Sequence, residues 1–103
     1  MIFLSYSWDD AAVVHLWAQE LRRWDIPLWL DVWHLDLDRP IVEQIESAVA
    51  SSSHMAVVDS GSARISEWVR LEVDTASRVG VTKTLISLST IVTPSHRIEA
   101  LKE

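Results

Sequence analysis

An open, parallel α/β sheet with helices on both faces is the fold class this sequence predicts, and three observations predict it. Four short runs rich in branched and aromatic residues recur along the 103 residues. Each is bounded by polar residues, as strands buried on both faces are. The segments between them carry apolar residues at helical spacing. Strands alternating with helices in this way form a parallel sheet with right-handed crossovers.

Each element has a local reason. The run "IFLS" at 2–5 suits a fully buried first strand. A helix follows, with Asp9 or Asp10 available to cap it and Val13, Trp17, Leu21 and Trp24 forming its apolar face at spacings of four, four and three. "IPLWLD" at 26–31 reads as the second strand, Pro27 being tolerated near its start. After the polar stretch "HLDLDRP", Pro40 is placed to open a helix whose face is Ile41, Ile45 and Val49. "HMAVVDS" at 54–60 is the third strand, "SEWVRLEVDTASRV" at 66–79 the third helix and "KTLISLST" at 83–90 the fourth strand. The tail "IVTPSHRIEALKE" holds at most a short helix from about Ser95. An open sheet of this type ordinarily has five strands. Residues 1–103 are therefore expected to be one domain truncated after its fourth strand, the N-terminal fragment of a longer chain.

Composition removes several function classes. Without cysteine there is no redox motif, disulfide framework or thiolate zinc site. The opening "MIFLSYSWDD" has no basic region ahead of its apolar run, and no apolar run is long enough to cross a bilayer, so a cytoplasmic protein without a membrane partner is expected. A formal charge of −6 argues against direct nucleic-acid binding, which needs a basic face. Gly61 and Gly80 are the only glycines, too few for a dinucleotide fingerprint or a P-loop. A bound nucleotide must then be held by stacking and by side chains. His15, His34, His54 and His96 lack partners at metal-site spacings, so no metal or cofactor is expected. No G-x-S-x-G elbow occurs. Asp31, Asp36 and Asp38 lack the spacing and central glycine of an EF-hand and read as a solvated acidic loop.

In an open parallel sheet, ligands sit outside the carboxyl ends of the strands, where the strand order reverses. Those ends carry "SYSWDD", "DVWHLDLDRP" and "DSGSARISEW", which together hold hydroxyls, carboxylates, three tryptophans and a tyrosine. The chain's six tryptophans, Trp8, Trp17, Trp24, Trp29, Trp33 and Trp68, exceed what a core of this size needs. Aspartates ending strands, as at Asp31 and Asp59, are also a feature of phospho-acceptor receiver domains. Against that, Asp9 and Asp10 lie past the first strand and Lys83 begins its strand instead of ending it.

Taken together, "IFLSYSWDD", "LWLDVWHLDL", "IVEQIESAVASSSHMAVVDS" and "SEWVRLEV" resemble a Toll/interleukin receptor (TIR) domain in order and spacing, over about residues 2 to 90. The last piece matches that family's "S-x-W-x-x-x-E" box. The resemblance implies a flavodoxin-like fold. For many bacterial and plant members, and one animal branch, it implies cleavage of NAD+ at the nicotinamide–ribose bond by the glutamate of the box, here Glu72. It further implies self-association through the loop "DVWHLDLDRP", in which Trp33 and Leu35 are the residues to change in a test of that role, and a fused sensor module outside this segment. Two departures stand out: no glycine in "DLDRP", and Asp25 where a glycine is common before the second strand.

Trp68 and Glu72 are four apart, so on a helix they share one face. Nicotinamide in NAD+ is already a cationic leaving group, so one carboxylate that stabilises the developing oxocarbenium suffices. Around it, Tyr6, Trp8, Trp33 and Trp68 are expected as stacking faces, with Ser7, Asp31, Leu35 and Ser66 in the same substrate site. The plainer alternative makes Glu72 a solvent-facing residue, Trp68 a core residue and Arg70–Asp74 an ordinary helical ion pair. Function then divides between an NAD+-consuming effector domain of prokaryotic antiphage immunity and a non-catalytic interaction module of the same fold.

Overall fold

The computed structural model describes residues 1–91. The short helix expected from Ser95 lies outside the described residues. Four strands, β1 (Ile2–Ser5), β2 (Leu28–Trp29), β3 (His54–Asp59) and β4 (Lys83–Ser87), form one all-parallel sheet in the order β2-β1-β3-β4. This is the flavodoxin-like arrangement, with the strand order reversing beside β1. Register is set by Ile2 opposite both Leu28 and His54, and by Met55 opposite Lys83.

Side chains alternate across the sheet with period two, and the helices take opposite faces accordingly. Phe3, Met55 and Val57 pack with Trp29 against α3 (Ile41–Ala50) and α5 (Glu67–Val79), through Ile45, Ala48, Val49, Val69 and Ala76. Leu4, Tyr6, Ala56 and Val58 pack on the other face against α1 (Ala11–Arg23), through Val14 and Ala18. Crossovers of one hand place helices on opposite faces when the strand order turns back. Ser5 and Tyr6, adjacent in sequence, therefore point to opposite sides of the sheet.

Several boundaries differ from the sequence expectation, each for a local reason. The second strand is only two residues long, because Asp31 starts the short helix α2 (Asp31–His34) directly after Leu30. The segment before α5 contains an extra helix, α4 (Gly61–Ile65), capped by Ser60, whose Oγ accepts from the Ala63 N–H. Ser66 breaks it by taking extended backbone and then caps α5 through the Val69 N–H. Asp10 stands at the N-cap of α1 as expected, but its side chain makes no capping hydrogen bond there. Ser7 caps a 3-10 turn over Trp8–Asp10, and the Asp10 carboxylate accepts from Ser60 Oγ across the sheet end. Trp24 is not on the buried face of α1; it lies one residue past the helix and is 78% exposed. Among the tryptophans only Trp29 is buried in the core, stacked on Phe3 at 4.7 Å.

The missing glycines are accommodated. Asp25 adopts φ 59°, the left-handed conformation that aspartate tolerates. In the loop after α2, the Asp36 carboxylate accepts the Asp38 N–H, and the Gln44 side chain ties the Asp36, Arg39 and Pro40 carbonyls together. An Asx turn thus closes the loop without a left-handed residue.

Candidate active site

The reversal of strand order beside β1 is the position where an open sheet leaves a crevice. A cleft of about 260 Å³ opens there, lined by Ser7, Trp8 and Asp9 after β1 and by Ser62, Ile65, Ser66 and Trp68 after β3. A larger groove, about 390 Å³, runs along α3 and reaches Met1 at the amino end of the sheet. Its Gln44 side chain is already engaged in the loop closure. Strand polarity favours the smaller cleft as the site, because ligands of open parallel sheets bind outside the carboxyl ends of the strands, where the strand order reverses.

α5 aims a carboxylate at the sheet. Its buried residues are Val69, Glu72, Thr75 and Ala76, so Glu72 occupies a position in a stripe that would otherwise be apolar or neutral. Glu72 is 2% exposed, and its Oε1 accepts a 2.9 Å hydrogen bond from Ser5 Oγ at the end of β1. No cation pairs with it among the described residues. Burial pushes its pKa up from 4.5 to about 9; the Ser5 hydrogen bond opposes this and the Asp31 charge adds to it. Glu72 is thus held neutral at pH 7 in this state. The solvent-facing alternative for Glu72 is excluded, and Arg70 and Asp74 form no ion pair with each other.

A second carboxylate stands nearby. Asp31 is 4% exposed and accepts from the Tyr6 hydroxyl at 2.9 Å, the Trp8 Nε1–H at 2.7 Å and the Val32 N–H at 2.8 Å. Tyr6 OH also lies 2.7 Å from His15 Nε2. Tyrosine has one proton, and Asp31 takes it, so His15 donates from Nε2. Burial, reinforced by the Asp31 charge, drives the Tyr6 phenol far above its ordinary range.

Trp8 and Trp68 face one another at 5.3 Å between centroids, tilted by 46°. Trp68 is half-buried, and its Nε1–H is the only buried side-chain nitrogen or oxygen without a hydrogen-bond partner among the described residues. A buried donor left unpaired costs about 1–3 kcal/mol, which makes it unusual outside functional sites.

The expected site residues therefore separate into three groups. Ser7, Trp8, Ser66 and Trp68 line the cleft, with Glu72 one helical turn below Trp68. Tyr6 and Asp31 lie beneath it as a closed hydrogen-bonded unit, so Tyr6 is no stacking face. Trp33 and Leu35 are not brought to the cleft. Trp33 packs on the α1 side of the sheet under the Arg22 guanidinium, 5.0 Å above its ring, and Leu35 packs against the opposite core. The exposed apolar residues of that loop are Val32 and Leu37, which the sequence reading did not single out. Ser5 and His15 were also missed. Ser5 had a signal, a hydroxyl closing an apolar strand, whereas His15 had none beyond its place on α1.

A family model for the TIR domain matches residues 2–98. The chain belongs to the TIR domain family. A search of curated proteins finds no match. Of the W-x-x-x-E pair, Trp68 lines the cleft between β1 and β3, while Glu72 is buried one turn further along α5, on Ser5 of β1. Among the described residues, no group of three or more His, Asp or Glu side chains is placed to hold a metal ion, and no helix is long and apolar enough to cross a membrane.

Proposed function

We propose that this TIR domain cleaves NAD+ at the nicotinamide–ribose bond, with Glu72 as the catalytic carboxylate. One observation carries the reading: Glu72 is buried against Ser5 at the carboxyl end of β1, with no cationic partner among the described residues. Burying an ionisable group without compensation is expensive, and interaction through surfaces alone has no use for it. The cationic nicotinamide riboside would supply the missing positive charge and draw Glu72 into its ionised form. As the C–N bond breaks, its electron pair leaves on nicotinamide, and the Glu72 carboxylate stabilises the ribosyl cation. Capture by water yields ADP-ribose and a proton; capture by the adenine yields a cyclic isomer. Trp8 and Trp68 offer ring faces to the pyridinium or adenine at about 0.5–2 kcal/mol per cation–π contact.

Within this reading the domain acts in the cytoplasm as an effector of prokaryotic antiphage immunity. It is switched on by self-association, which can extend into filaments because a head-to-tail contact is heterologous. A fused sensor module would trigger that assembly. Exposure of Val32 and Leu37 on the loop favours the alternative of a non-catalytic TIR–TIR interaction module. Chromatography of NAD+ incubated with concentrated protein separates the two. Nicotinamide release by wild type, absent in folded Glu72→Gln, is expected; equal cleavage by both would sink the assignment of Glu72, and cleavage by neither would favour the scaffold.

A further inference from the structure

One side chain bridges the candidate site. Trp8, in the loop after β1, donates its indole N–H to Asp31 Oδ2 at 2.7 Å and rests against Trp68. Asp31 follows β2, Trp68 follows β3, and β1 lies between those two strands. The indole therefore crosses the carboxyl end of β1, and that end carries Ser5 with its hydrogen bond to Glu72. Asp31 is anchored as well as buried: Tyr6 and the Val32 N–H occupy it alongside Trp8, and His15 holds Tyr6 from behind. A carboxylate so engaged is not free to take substrate. Meanwhile the cleft is walled by Trp8 and Trp68, while Glu72 is 2% exposed and does not line it.

We propose that Asp31 and Trp8 form a latch that keeps Glu72 closed to substrate in the resting domain, and that release of the Trp8 indole N–H from Asp31 is the opening step. The inference rests on the NAD+-cleaving reading of the same site. Asp31 acts here as a positioning residue, through Trp8. Opening exchanges a Trp8–Asp31 hydrogen bond for solvation of both groups, and it admits water and a cationic ligand to Glu72. Trp8 is 57% exposed, so it can swing outward without unpacking the core.

Trp8→Phe tests this, because it keeps an aromatic ring for stacking and removes the indole N–H that holds the latch, at the cost of the indole's second ring. Glu72 is followed by carbon-13 NMR of labelled glutamate side chains, and NAD+ cleavage is measured at one low protein concentration. In the variant, the Glu72 titration midpoint is expected to fall by at least one pH unit as water reaches it. Cleavage should rise about tenfold or more, the factor implied by losing one charge-assisted hydrogen bond. Trp17→Phe, on the α1 face away from the cleft, is the control that should change neither. A lowered midpoint with no cleavage in either protein supports the latch and counts against the NAD+ reading. An unchanged midpoint in folded Trp8→Phe overturns the latch, whatever the activity.

Discussion

Replacing Glu72 by glutamine should stabilise this domain at neutral pH while leaving it no more stable in acid. The side chain keeps its size, and the amide oxygen can still accept from Ser5. What changes is ionisation. In the folded wild type the Glu72 pKa is raised from 4.5 to about 9. An acid raised in this direction contributes its full stability below its unfolded value and loses it progressively as pH rises through the folded value. Between pH 4.5 and pH 7 that loss amounts to 2.5 units, or about 3 kcal/mol at 1.36 kcal/mol per unit. Against a total stability of about 5–15 kcal/mol for a domain of this kind, the effect is large. Glutamine cannot ionise, so its stability lacks this slope. Thermal melting of both proteins from pH 4 to pH 8.5 reads the difference. At about 4–8 °C per kcal/mol, the variant's advantage should grow with pH to roughly 10–20 °C near pH 7. Its new amide N–H₂ in a buried site can lower the variant uniformly, which moves the offset and not the slope. Parallel melting temperatures across the whole range would refute the claim that Glu72 is held neutral by burial.

The same titration governs the kinetics: kcat/KM for NAD+ should climb about tenfold per pH unit between pH 7 and pH 9 and then level off, since only ionised Glu72 can stabilise a ribosyl cation; a flat profile would contradict this. Val32→Ser with Leu37→Ser should weaken the dependence of specific activity on protein concentration without moving the melting temperature. Trp33→Ala with Leu35→Ala should lower the melting temperature by an amount equivalent to about 2 kcal/mol or more, because these two side chains pack against the two core clusters. If dilution affects all three proteins alike, the exposed pair is no contact surface. Trp68→Phe removes the unpaired buried N–H, and its melting temperature should stay within the equivalent of about 1 kcal/mol of wild type, the lost donor penalty offsetting lost packing. A drop several times larger would mean that the indole N–H is satisfied in solution.

The alternation of strands and helices was legible in the sequence because periodicity is a local property: "IFLS" and "HMAVVDS" are continuous apolar runs, and α3 repeats its apolar residues every four positions. The turn at Asp25 was legible for the same reason, since a left-handed residue needs only its own backbone to be read. The W-x-x-x-E spacing likewise required that Trp68 and Glu72 share a helix face. Which way that face points was settled only by packing. A carboxylate in a core-facing stripe breaks the apolar pattern that sequence reading relies on, so the pattern alone turns Glu72 outward, whereas Ser5 from β1 receives it inside. Trp33 and Leu35 looked like loop contacts because nothing in "DVWHLDLDRP" announces the short helix that turns them to opposite cores. The junction of Trp8, Asp31 and Trp68 draws on residues 23 to 60 positions apart. Its members are adjacent only because β1 lies between β2 and β3, a strand order that no local signal carries.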